Sequence, residues 1–417
     1  MISKKPSKDF QPFLKNSFYL YLSHFADYFI LLFFLPLISR VLGAEEFGRI
    51  SLSQTFGIFI ILLIEFGNPL YAARKVAKIK QDNEKLRLFI GQLFTSKILL
   101  IPILTFLGFI CVLFIPIFNQ HPHYIIIVIL GAFFQGISPT WFFQGIENMK
   151  KIAISKVFFR LFGFLSMLFF VKSSSDGWVV LLVYSIISFL ICMYLLFEML
   201  KIIGFFSLSS IDEVKNIYYK SRYSFFITIF PIVYQNISML ILSLYVGPYQ
   251  LGIYYGANRI YRAFNSLFSP LGQAFYPRIT ATNSINPISA LKLLKSFLLL
   301  ITFIGIAFYL IILFFSDQMI LILLGEKFST SKNVLIIFGG VLPLTAVSHT
   351  LGRQWLMVIN KDSIYAFCQF ISSVIGFLCF FLTVQKLGII SFPISLLFFE
   401  LSSIFLILCT LLFKIKQ

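Results

Sequence analysis

Twelve apolar runs, each about as long as a bilayer is thick, constrain this chain more than any other feature. A helix rises about 1.5 Å per residue, so roughly twenty apolar residues cross the ~30 Å hydrocarbon core. In order, the runs cover Ser17–Ile38, Ile50–Ala73, Leu88–Pro116, Tyr124–Ile146, a fifth ending at Val171, and Trp178–Leu200. The second half continues with Tyr223–Leu244, Gly252–Tyr276, Ser296–Phe315, Asn333–Met357, Ile364–Val384 and Ile389–Phe413. With 59% of its 417 residues hydrophobic and 12% charged, the chain has too little polar surface for a soluble domain. The expected class is an all-α membrane protein with membrane lipid as its main solvent.

A net charge of +18 raises the question of nucleic acid, and the distribution of the charge answers it. Of 34 lysines and arginines, 23 fall in the tails and in alternate loops, six in the opposite loops and five inside the runs. That bias is a topology signal that places both termini in the cytoplasm, and no nucleic-acid partner is expected. The five cysteines all lie in apolar runs without paired spacing, so neither a disulfide framework nor a metal site is expected. No nucleotide-binding glycine loop or nucleophile triad appears, and no cofactor or enzyme activity is expected. The opening MISKKPSKDFQPFLKN lacks a signal peptide's short apolar core and reads as a retained cytoplasmic tail.

The halves repeat. VLGAEEFGRISLSQ (41–54) aligns with YVGPYQLGIYYGAN (245–258), matching Gly43 to Gly247 and Gly48 to Gly252. Both segments join the first two runs of their half. Six runs per half give the copies the same orientation, so two six-helix bundles related by a pseudo-twofold along the membrane normal are expected. The expected division is a tail at 1–16, a bundle at 17–200, a cytoplasmic linker at 201–222, a bundle at 223–413 and a tail at 414–417.

One apolar run carries charge at its middle. In GANRIYRAFNSLFSPLGQAFYPRIT (256–280), Arg259, Arg262, Ser266, Ser269 and Gln273 recur at steps of three and four and share one helix face, with Asn258 and Asn265 beside them. An arginine at mid-span costs roughly 2.5–3.5 kcal/mol on the insertion scale, so this stripe is expected to face protein or a watery cavity. Structural pairing with buried carboxylates is the alternative.

Several stretches carry a family resemblance. "PLISRVLGAEEFGRISLSQ", "EFGNPLYAARKVA" and "WFFQGIENMKKIAI" in the first half, with "GANRIYRAFNSLFSPLGQAFYPRI" and "LGRQWLMVINKDSIY" in the second, resemble the Wzx-type polysaccharide flippases. These belong to the superfamily that also holds multidrug and toxin extruders. The likeness runs in order through nearly the whole chain. It implies a MATE-like fold and transfer of undecaprenyl-pyrophosphate-linked oligosaccharide across the bacterial inner membrane for O-antigen or capsule synthesis. It also implies coupling to H+ or Na+, and a polysaccharide polymerase and chain-length regulator as partners. Guanidinium forks bind phosphate oxygens through charge-assisted bidentate hydrogen bonds, so a cationic cavity suits a diphosphate and suits a cationic drug poorly.

Lys97, Arg160 and Arg353 join Arg259 and Arg262 as intramembrane cations that are candidates for substrate binding, together with Asn258 and Gln273. Arg160 and Arg353 lie closer to cytoplasmic ends, where snorkelling to headgroups is an equal alternative. The acids inside runs are Asp27, Glu65 and Glu400. His24 and Asp27 share a helix face and form the leading ion-coupling pair. Glu65 is a further ion-coupling candidate, against the simpler reading of a charge pair with an arginine. Glu400 reads equally as a hydrogen-bonded structural acid. Trp141 and Gln144 are candidates for sugar contact, with helix packing the first expectation for Trp141. Three rivals are weighed: a drug extruder of the same fold, which should show an acidic or neutral cavity; a glycan polymerase, which normally carries a large outside loop; and a peptidoglycan-precursor flippase, which usually has more spans.

Overall fold

The computed structural model describes residues 10–66 and 68–414; the side chains of His24, Asp27 and Gln273 lie outside the described residues. Among the described residues every regular element is helical. The first half holds α1 (Phe10–Glu65), α2 (Asn68–Ile79), α3 (Asn83–Phe114), α4 (Pro116–Gln120), α5 (Pro122–Ile137), α6 (Thr140–Gly145), α7 (Met149–Phe170) and α8 (Gly177–Ile203). The second half holds α9 (Ile211–Tyr245), α10 (Pro248–Ser266), α11 (Phe268–Ile285), α12 (Pro287–Leu323), α13 (Lys332–Leu351), α14 (Asp362–Leu387) and α15 (Ser391–Lys414). A π-helical turn, Gly352–Leu356, extends α13. Among the described residues, eight helical stretches are long and apolar enough to cross a bilayer, and Ile229–Tyr245 is a shorter apolar one. The chain is a multi-pass membrane protein.

Several runs that read as single helices are broken, and several loops are helical. The connection RVLGAEEFGR stays helical on both sides of Gly43, whose φ of 72° is open to glycine because it carries no Cβ. The second run ends at Glu65 rather than Ala73, followed by Phe66 at φ 40°. The basic stretch after it is largely α2, with Ala72 and Val76 buried and Arg74, Lys75 and Lys78 exposed. The fourth run breaks at Ser138–Pro139, because proline disfavours helix in the residue before it. The expected linker 201–222 is irregular only over 204–210. Gly204, at φ 73°, closes α8, and α9 opens with Asp212 and Glu213 in its first turn, where acids complement the helix dipole.

The chain forms two compact units. One comprises Met1–Phe34 with Ser53–Thr228, the other Leu35–Leu52 with Ile229–Gln417. In the first, α8 packs on α5 and α7, α3 on α5, and α2 on α6. Its core gathers Leu93, Trp141, Phe142, Phe143, Met199 and Ile203. In the second, α12 packs on α13, and α15 on both α13 and α14.

Residues 35–52, expected in the first bundle, cluster with the second unit for identifiable reasons. Arg40 donates to the carbonyls of Leu321 and Ile322 at 3.1 and 2.9 Å. These lie in the last turn of α12, where a cation complements unpaired carbonyls. Phe47 meets the ring of Phe328 edge-on at 5.6 Å. The tightest contact is between backbones. A Cβ on Gly252 would stand 1.7 Å from the Ala44 carbonyl oxygen, and one on Gly48 would stand 2.0 Å from that of Pro248. In the repeat, Ala44 corresponds to Pro248 and Gly48 to Gly252. The contact is therefore reciprocal, as a local twofold requires.

Candidate substrate site

α10 starts at Pro248, whose missing N–H costs nothing at a helix's first position, and presents its cations one to two turns before its end. Arg259 is half-buried. Its Nη2 lies 3.4 Å from the Ser51 hydroxyl, and its guanidinium carbon lies 4.6 Å from the centroid of the Phe47 ring, a cation–π contact. Asn258 beside it is buried. Arg262, one turn on, is exposed. The five-residue stripe does not run on one straight helix. At Leu267 the amide bonds the Phe264 carbonyl at 3.1 Å, a tightened last turn, and α11 begins at the next residue. Ser269 therefore belongs to a different helix from the arginines, and Gln273 lies outside the described residues.

Lys97 belongs to the first unit, and the α10 arginines to the second. Only 1% of it is exposed, and its Nζ donates to the Gly136 carbonyl, in the last turn of α5, at 2.6 Å. The Trp141 ring centroid is 5.9 Å from the same nitrogen, and Glu65 is within electrostatic reach. Glu65 thus has a lysine, rather than an arginine, as its cationic neighbour. Trp141 itself is 1% exposed within the core, which makes it a packing residue, while Gln144 is exposed.

The remaining candidates divide between the units. Arg160, half-buried on α7, is within electrostatic reach of Tyr184 in the first unit. Arg353, exposed on the π-helical turn, acts on Glu400 and His349 in the second. Glu400 is 4% exposed, and its carboxylate accepts from the hydroxyls of Thr345, at 3.0 Å, and Ser348. That arrangement gives the buried acid the donors it needs. His24 and Asp27 lie outside the described residues.

Sequence reasoning missed a cavity of about 260 Å3 in the first unit, where α1, α5 and α8 meet around Gln54, Gln135, Tyr184 and Ser188. The signal was present: Gln54 and Gln135 are polar amides inside apolar runs.

Comparison with known proteins assigns this architecture. The fold matches that of the lipid II flippase MurJ in an inward closed conformation, with a TM-score of 0.69 and 15% identity, over 97% of this chain and 88% of that one. It also matches an inward-facing multidrug resistance MATE family transporter of the MOP superfamily, with a TM-score of 0.66 and 15% identity over 93% and 92% of the two chains. The class defined by the fold is therefore the one shared by these two membrane proteins. In sequence, the chain is 27% identical over 408 residues to a protein of Escherichia coli (strain K12) named "Putative O-antigen transporter", covering 95% of this chain and 93% of the other. Residues 13–283 match the model of the polysaccharide biosynthesis protein family, and the chain belongs to that family.

Proposed function

We propose that the protein moves undecaprenyl-pyrophosphate-linked oligosaccharide repeat units across the bacterial cytoplasmic membrane by alternating access. The observation that carries this reading is the near end-to-end similarity to a protein named as an O-antigen transporter. The cationic chemistry of α10 supports it. Arg259 and Arg262 hold the diphosphate, whose oxygens accept guanidinium hydrogen bonds. Arg259 is braced for that task by Phe47 and Ser51. The glycan crosses in an aqueous environment screened from lipid, and the polyprenyl tail remains in lipid. Twelve spans with both termini cytoplasmic remain the proposed topology. Asp27 with His24, and Glu65, are the proposed ion-coupling groups for H+ or Na+. An ion shifts the equilibrium between states only as far as its affinity differs between them.

The test is surface polysaccharide in a strain lacking this gene, complemented with Arg259→Gln or Arg262→Gln at matched membrane abundance. Each substitution removes a charge-assisted bond and is expected to lower surface glycan about tenfold or more, with lipid-linked units accumulating in the cytoplasmic leaflet. Lysine at either position should restore part of the loss, since it keeps the charge without the fork. Normal transport by both glutamine variants assigns the arginines to structure. Unchanged surface glycan on deletion removes the flippase reading, and drug extrusion by the same fold becomes the second reading to test.

A further inference from the structure

The cavity in the first unit has a chemistry unlike that of α10. Gln54, Gln135, Tyr184 and Ser188 line it, and none of its lining residues is Lys, Arg, Asp or Glu. Arg160 is within electrostatic reach of Tyr184 but is not part of the wall. Glycines set the spacing of the helices beneath. A Cβ on Gly57 would meet Val128 Cγ1 at 2.7 Å, and one on Gly131 would meet Ser185 Oγ at 2.5 Å. The polar groups are therefore held on closely packed helices rather than on a mobile loop.

Depth in the span matters as much as composition. Gln135 stands eleven residues beyond Tyr124, where its run begins, and Ser188 eleven beyond Gly177. At about 1.5 Å per residue, both lie about 16 Å into their helices, near the middle of a ~30 Å core. Primary amides facing hydrocarbon at that depth are costly, so this wall is built to face water or a polar ligand. A primary amide carries two donors and an acceptor, of which Gln54 already engages part within the protein, and a phenol carries one donor and an acceptor. The Ser188 hydroxyl spends its proton on the Tyr184 carbonyl at 2.9 Å, which leaves its oxygen to accept. The aromatic face of Tyr184 adds an apolar platform beside these groups.

We propose that this cavity is a carbohydrate subsite that takes one neutral pyranose ring of the transported glycan. A pyranose carries hydroxyls around its edge, each donor and acceptor, and C–H groups on its face. The amides and the serine oxygen suit the first, and the tyrosine ring suits the second. A cavity of about 260 Å3 has room for a pyranose ring, and the uncharged lining does not hold a diphosphate. This inference rests on the flippase reading above.

The test uses the full-length protein in lipid nanodiscs with two probes. One is undecaprenyl-pyrophosphate-linked oligosaccharide extracted from the source organism's membranes; the other is undecaprenyl pyrophosphate without sugar. The wild type should bind the glycosylated lipid at least about tenfold more tightly than the bare one, as one or two net hydrogen bonds allow. Gln54→Leu, Gln135→Leu and Tyr184→Phe should each bring that ratio towards one while leaving affinity for the bare lipid unchanged. Bare-lipid binding also reports folding, and if a leucine variant loses it, Gln54→Asn and Ser188→Ala give the same comparison with less disturbance. Retention of the wild-type ratio in all these variants overturns the subsite. Equal binding of both lipids by the wild type also overturns it and leaves the flippase reading standing. Binding of neither lipid overturns both.

Discussion

Gly252→Ala is expected to be among the most damaging single-methyl additions the second unit can receive. The new Cβ would sit 1.7 Å from the carbonyl oxygen of Ala44, and the obstacle is backbone, which cannot rotate out of the way as a side chain can. Either the 35–52 segment separates from α10 or α10 itself shifts, and overpacking of this kind typically costs about 1–3 kcal/mol, occasionally more. With backbone on both sides of the contact, the effect should lie at or above the top of that range. The expected result is a fall in yield of monodisperse protein and a lowered thermal midpoint in detergent. Gly247→Ala supplies the control. Gly247 is matched to Gly43 in the repeat, yet it has an ordinary φ of −72° and nothing within 4 Å of its added Cβ. It should behave as wild type. If the two alanine variants are equally stable, the close approach of Gly48 and Gly252 is wrong.

Lys97→Met is the second large effect. Its ammonium is bonded to the Gly136 carbonyl, lies near Glu65, and is almost wholly enclosed. Glu65 is within electrostatic reach but forms no ion pair with it, so Lys97→Met removes the Gly136 hydrogen bond and a longer-range attraction, at about 1–3 kcal/mol. Replacing both charged groups by apolar residues of similar size is often nearly neutral. The double variant Lys97→Met with Glu65→Leu should therefore recover most of the stability that Lys97→Met loses, and a double-mutant cycle on thermal unfolding in detergent measures the coupling. A different pattern identifies Lys97 as a substrate ligand: unchanged stability in Lys97→Met, lost transport, and no rescue by the second substitution.

Much of the architecture was legible because a bilayer demands it. Apolar runs of spanning length are consequences of the solvent, and they require no knowledge of packing. The breaks inside the runs were less visible. Pro139 was a usable signal for the end of α5. Leu267 was not, since leucine favours helix and only tertiary context tightens the turn there. Gly43 and Gly247 looked equivalent in the alignment, and only backbone dihedrals separate the one that needs glycine from the one that does not.

The candidate site shows the same division. Arg259 stood out because charge at mid-span is expensive, and the structure adds the ring and hydroxyl that brace it. Lys97 stood out for the same reason, but a sequence does not show that a helix-end carbonyl accepts a hydrogen bond from its ammonium. The glutamines of the first unit were passed over because an uncharged amide raises a weaker alarm. Three helices had to be brought together before Gln54, Gln135 and Tyr184 became one wall.

The reciprocal glycine crossing carries a historical consequence. Each copy of the repeat supplies the surface against which the other copy's glycine is fitted, Ala44 for Gly252 and Pro248 for Gly48. A side chain acquired in one copy is thus felt first by the other. If the two halves descend from one duplicated segment, they could drift in composition, charge and ligand, but not separately at this crossing. Lineages that lose one of these glycines should show a compensating shift in the opposite copy, so that the duplicated segments are read by selection as a single inherited joint.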